Sequence, residues 1–107
     1  MKLMNYQDKI LKVIIHAGNA KSHIYEALHY AKKNDFKKSD EYMENANEEI
    51  LEAQKIQTSL INKDKEGKNV EISMLLIHSQ DHLMTCLSER NLVKEIIDLR
   101  KEIGANK

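Results

Sequence analysis

The sequence predicts an all-α fold: three long antiparallel helices in one domain covering residues 1–107. Three observations carry this reading. There is no proline, and only three glycines, Gly18, Gly67 and Gly104, weaken helix propensity. Apolar residues recur at three- and four-residue intervals, the period of a buried helical stripe. Strict apolar/polar alternation, the mark of a half-buried strand, is absent.

Helix one runs from about Asn5 to about Lys33, with Asn5 and Asp8 spaced as a capping pair. Its stripe is Ile10, Val13, Ile14, Ala17, Ala20, Ile24, Ala27, Leu28 and Ala31. Gly18 falls inside this helix at a cost of about 1 kcal/mol against alanine. A glycine retained there predicts close approach of another backbone. The segment KKNDF makes the turn, and Asp35 is the expected N-cap of helix two. Helix two sets Met43, Ala46, Ile50, Ala53, Gln57, Leu60 and Ile61 on one face. Glu41, Glu44, Glu48 and Glu52 follow another and read as a solvated acidic surface. Gly67 closes the helix, and EGKNVE is the second loop. Helix three spans about Val70 to Ile103 and stops at Gly104.

The first half of helix three departs from simple amphipathicity. At ~100° per residue, Met74, Leu75, His78, Asp81, His82 and Thr85 form one stripe. Ile72, Leu76, Leu83 and Leu87 form a second on the opposite side, with Ile77 and Met84 on a flank between them. A helix apolar on all sides requires cover on all sides. Two helices of the same chain cannot surround a third that is ~45 Å long at 1.5 Å per residue. Other copies of the chain are the expected cover, so the stripe bearing His78, Asp81 and His82 is expected to face a subunit interface.

Composition removes several functional classes. Seventeen basic and seventeen acidic residues balance to zero formal charge, which is not the footprint of a nucleic-acid binder. Cys86 is the only cysteine, so no intrachain disulfide forms, and its apolar surroundings predict a small buried side chain. No apolar run reaches membrane-spanning length, and the first residues lack the apolar core of a secretory signal. A cytoplasmic protein is expected.

The stretch LLIHSQDHLM holds the chemistry. His78, Asp81 and His82 share one helical face at positions i, i+3 and i+4. Two histidines so spaced can clamp zinc, but a catalytic zinc site needs a third ligand and a base, and no further cluster of ligating residues is visible. A histidine nucleophile is the second reading. Neutral imidazole attacks phosphorus without first losing a proton, and the reaction needs alignment and donors to the phosphoryl oxygens. A satisfied hydrogen-bond network is the third. Its weakness is the apolar setting, where unpaired ionisable groups are costly. His16, His23 and His29 on helix one have no comparable setting and read as surface or boundary residues.

The peptide IHSQDHLMT resembles the signature of the lactose/cellobiose-class enzyme IIA proteins of the bacterial sugar phosphotransferase system. The resemblance extends over nearly the whole chain. HAGNAKSHIYEAL is similar to the family's first-helix segment, with Gly18 and Ser22, and ILEAQKIQTSLI to its second, with Ala53, Gln57 and Thr58. The chain departs from the common pattern at Asn19 and Lys21, where many members carry Asp and Arg, and at Gln54, where histidine is frequent.

This resemblance implies a homotrimer whose nine helices form one bundle. It implies that His78 accepts a phosphoryl group from the histidine-containing phosphocarrier protein and passes it to a cysteine of the cognate enzyme IIB. The sugar phosphorylated on entry would be a disaccharide of the cellobiose/chitobiose or lactose type. His82 would stabilise the phosphoryl group. Asp81 would meet its symmetry mates around an axial magnesium ion. The competing expectation is a non-catalytic trimeric helical adaptor whose motif is only an axial metal clasp.

Overall fold

A computed structural model describes residues 5–65 and 73–105, so Gly67 and the predicted second loop lie outside the described residues. Its helices are α1 (Tyr6–Lys32), α2 (Phe36–Lys65) and α3 (Met74–Ala105). They run up, down and up as a bundle 58 Å long. Cross-helix contacts fix these directions. Lys9 Nζ donates to Ser59 Oγ near the start of α1, and Arg100 near the end of α3 donates to the last carbonyls of α1.

Each described helix end has a local cause. The Asn5 side chain accepts from the Asp8 backbone N–H at 2.9 Å, as the sequence predicts. At the far end of α1, Asn34 takes the left-handed conformation with φ 63°. The Asn34 N–H then donates to Ala31 O and the Asp35 N–H to Tyr30 O, which satisfies two terminal carbonyls. Asparagine tolerates this geometry better than most residues. Asp35 Oδ1 accepts from the Lys38 N–H at 3.2 Å and opens α2. Ser73 Oγ accepts from the Leu76 N–H at 3.1 Å. Ser73 thus caps helix three ahead of Met74, a cap that periodicity alone does not reveal, and the expected start near Val70 lies outside the described residues. The helix runs past the expected stop, carrying Gly104 within it to Ala105.

The core is built on α1. Ile10, Val13, Ala17, Ala20, Ile24, Ala27 and Ala31 are fully buried, while Ile14 and Leu28 are half-buried at its margins. The small alanines let α2 and α3 pack closely on both sides. From α2 come Ala46, Ile50, Ala53 and Leu60, and from α3 Leu83, Cys86, Val93 and Ile97. Each large aliphatic side chain buried here stabilises the fold by about 1.5–3 kcal/mol. Two serines join this interior. Ser39 Oγ donates to Ala27 O and Ser79 Oγ to Leu76 O, so neither hydroxyl is left unpaired. Glu41, Glu44, Glu48 and Glu52 of α2 are exposed as expected.

At Gly18 a built Cβ meets nothing within 4 Å, so among the described residues no backbone of the same chain makes the close approach expected there.

Candidate active site

α3 leans mainly on α1 and has few contacts with α2. Its seam with α2 is bridged by polar side chains: Gln57 donates to Gln80, Arg90 to Asn47 and Lys101 to Asp40. This docking splits α3 lengthwise. Ser79, Leu83, Cys86, Val93 and Ile97 face the interior. Met74, His78, Asp81, Thr85, Leu92, Ile96, Leu99 and Ile103 lie on the opposite side, and all are exposed in the single chain. Met74 is 82% exposed and Leu92 64%, large values for side chains that avoid water. The sequence expectation of an apolar helix that one chain cannot cover holds in this form.

His78 and His82 sit one turn apart, their rings edge to face with centroids separated by 4.7 Å. They belong to different environments. His78 is exposed on the outer stripe, whereas His82 is turned toward α1 and half-buried, so the predicted single stripe divides between them. His82 Nδ1 is enclosed without a hydrogen-bond partner. Burial, then the Lys21 ammonium, then His78 lower the His82 pKa from its ordinary value of 6.5. Each of these favours the neutral ring.

Asp81 is exposed beside His78, and its backbone carbonyl accepts from Thr85 Oγ1 at 2.8 Å. The same hydroxyl lies 3.1 Å from His82 O, which ties this turn of α3 together. Among the described residues, Asp81 is the carboxylate that one chain contributes to the outer stripe near His78. No group of three or more His, Cys, Asp or Glu side chains that could hold a metal ion occurs among the described residues. Within the described residues of one chain a zinc site is therefore unsupported, and an axial metal there would need ligands from several copies.

Cys86, one turn beyond His82, is fully buried, and burial is the main cause raising its thiol pKa. A protonated, enclosed thiol is a poor nucleophile. His16 is held on α2 by Glu49 at 2.6 Å, and His29 and His23 pack against Tyr30 and Tyr42, respectively. None of these three shares the outer stripe of α3.

Lys21 of α1, noted in the sequence only as a departure from the family pattern, has a charge that acts on both His82 and Cys86. Its signal was its register. Lys21 lies four residues after Ala17 and three before Ile24, inside the buried stripe.

The site thus sets an exposed imidazole edge to face against a second, half-buried one. Comparison with known proteins shows the family. Residues 8–101 match the family described as PTS system, Lactose/Cellobiose specific IIA subunit. The chain is 41% identical to the lactose-specific EIIA component of Staphylococcus epidermidis, over 85% of this chain and 88% of that protein. It is 35% identical to the N,N'-diacetylchitobiose-specific EIIA component of Escherichia coli, over 92% of this chain and 85% of the relative. Among solved structures, the cellobiose-specific enzyme IIA of Bacillus anthracis superposes with a TM-score of 0.90 at 42% identity, covering 98% of this chain and 97% of that one. The chitobiose IIA in a solution complex with HPr superposes at 0.83 with 31% identity, over 95% and 99% of the two chains.

Proposed function

Since this chain belongs to the lactose/cellobiose-specific IIA family of the phosphotransferase system, we propose that His78 is the residue that carries its phosphoryl group. A member of this family is a sugar-specific phosphocarrier, a phosphotransferase component that works through a phosphohistidine. The single observation that carries the assignment is the pairing of exposed His78 with half-buried His82 at 4.7 Å.

In the reaction, the unprotonated nitrogen of the His78 ring forms a bond to phosphorus while the bond from phosphorus to the donor's nitrogen breaks. Return of the donor's electron pair to its own imidazole completes the exchange, and His78 need not lose a proton first. His82 acts beside it as a neutral ring. With Nδ1 enclosed and unpartnered, the ring proton is best used on Nε2, where it donates to a phosphoryl oxygen. The donor is HPr, a reading supported by the solved complex of the chitobiose relative with that carrier. The acceptor is a cysteine of the cognate enzyme IIB. The sugar is a disaccharide of the cellobiose/chitobiose or lactose type, the range spanned by the relatives.

The working form is a homotrimer with α3 at its centre, supported by the uncovered apolar side of that helix. Three copies of Asp81 would then provide the oxygen ligands that a hard divalent cation such as magnesium prefers, and the ion would offset their mutual repulsion. No helix of the described residues is long and apolar enough to cross a membrane, which fits work at the cytoplasmic face of a membrane transporter.

Phosphorylation by HPr, followed by peptide mapping under alkaline conditions, tests the assignment. The adduct should be acid-labile, base-tolerant and confined to His78. Stoichiometric phosphorylation of His78→Ala would overturn it.

A further inference from the structure

We infer that Leu11 and Ile15 of α1 form a second contact between copies of this chain, filled by Met84 from α3 of the next copy. The inference rests on the trimer with α3 at its centre and adds a second face to it.

α1 carries an apolar face that its own bundle does not use. Leu11 and Ile15 stand one turn apart, Ile15 56% exposed, on the side of α1 away from the core residues Val13 and Ala17. The side toward α2 is marked by His16 and His23, which meet Glu49 and Tyr42. Leu11 and Ile15 are turned away from that side as well, so they open beside α3. On α3, Ile77 and Met84 lie two turns apart, and Met84 is 62% exposed. They flank Gln80, which bonds Gln57 of α2, and so occupy the edge of the outer stripe nearer α2. The outer stripe therefore has an apolar shoulder on each side, one from α1 and one on the α2 edge of α3.

A ring of identical chains needs two unlike faces on each chain, because the first face of one copy meets the second face of the next. The two shoulders are such faces. Their levels also agree. α1 and α3 run in the same direction, Val13 shares a core cluster with Leu83, and Arg100 donates to Ala31 O. Leu11 and Ile15 therefore lie level with Asp81 and Thr85, and Met84 falls between them in height. Rotation about an axis parallel to the helices preserves height, so Met84 of the next copy arrives between Leu11 and Ile15. Methionine is unbranched and adaptable, which suits it to filling such a gap. Further along the same edge, exposed Asn91 comes near the level of exposed Ser22, so polar side chains meet where the apolar ones end. Toward the start of α3 this seam passes His78, and the acceptor imidazole is bounded by side chains of two chains.

The test is cross-linking of the Ile15→Cys/Met84→Cys double variant with a short thiol-to-thiol reagent. Both positions are exposed in the single chain, so neither change disturbs the core, and buried Cys86 should leave wild type unlinked. Within one chain the two thiols lie on opposite shoulders, so a link between them joins two chains. The expected product on a denaturing gel is a covalent trimer, with each single variant unlinked. Met84→Glu should raise the concentration at which half the trimer dissociates by about tenfold or more, the effect of a polar group enclosed without a partner. Adding Ile15→Lys to Met84→Glu should recover most of that loss. No covalent trimer from a protein that light scattering shows to be trimeric overturns the seam and leaves the trimer standing, as does a Met84→Glu variant that dissociates like wild type. Thiol labelling of Ile15→Cys that is blocked only when HPr is added assigns the face to the donor and overturns the seam too. A wild type that is monomeric removes both the seam and the trimer beneath it.

Discussion

The Glu89 carboxylate on α3 acts across the helix seam on Tyr25 of α1 and raises the pKa of its phenol above the ordinary 10.0. The charge of Glu89 is the largest cause, followed by burial and side-chain hydrogen bonding. The folded chain thus holds this proton more tightly than the unfolded chain. The stabilisation is complete below the unfolded pKa and is lost as pH rises through the folded one. Phenolate absorbance should show one late-titrating tyrosine that disappears in Tyr25→Phe and titrates earlier in Glu89→Gln. Equal titration curves for wild type and Glu89→Gln would contradict the pairing.

Replacing Gly18 with alanine should stabilise the isolated fold. The position is helical and open, so the change removes the entropic cost of glycine without a clash. The expected gain is about 0.5–1 kcal/mol, read from urea unfolding of wild type and variant at one protein concentration. A loss of stability would mean that another chain approaches this point of α1 closely.

The outer stripe of α3 should be the contact between copies. Light scattering should give the mass of three chains for wild type. Leu92→Glu places a charge where 64% of a leucine is now exposed and should reduce that mass. The loss should amount to at least the ~1.5–3 kcal/mol that burial of each leucine supplies. A wild-type protein that is a stable folded monomer at micromolar concentration would remove the basis for a trimer.

Asp81 should make that trimer sensitive to metal. Chelator should lower the wild-type thermal midpoint and magnesium restore it, because an ion bound only by the assembled site stabilises it by mass action. The effect is about 2.7 kcal/mol when the ion stands a hundredfold above its Kd. Asp81→Asn removes the repelling charges and should respond to neither addition. Matching responses from the two proteins would place Asp81 away from any shared ion.

Much of this architecture was legible in the chain, and what escaped did so for physical reasons. The alanine-rich stripe of α1, the Asn5 and Asp35 caps and the interior position of Cys86 follow from period and chemistry. The Ser73 cap escaped because the apolar pattern of Val70 and Ile72 does not reveal a serine that acts only by capping. Ser39 and Ser79 are buried against polarity, which is possible because each hydroxyl bonds a carbonyl within reach. The division of His78 from His82 depends on where α1 lies, information that a single helical wheel does not contain.

The unequal support of α3 also bears on how the chain folds. α1 and α2 are joined by a short turn and share an extensive interface, so they can form early at small cost in loop closure. α3 then docks on a preformed hairpin through contacts distant in sequence, and mostly on one of its two helices. Its amides should accordingly open to hydrogen exchange at lower free energy than those of the hairpin, as a separate cooperative unit. The helix that bears His78 and His82 is thus the least secured of the three in the lone chain, and its rigidity would be completed by any copies that cover its outer stripe.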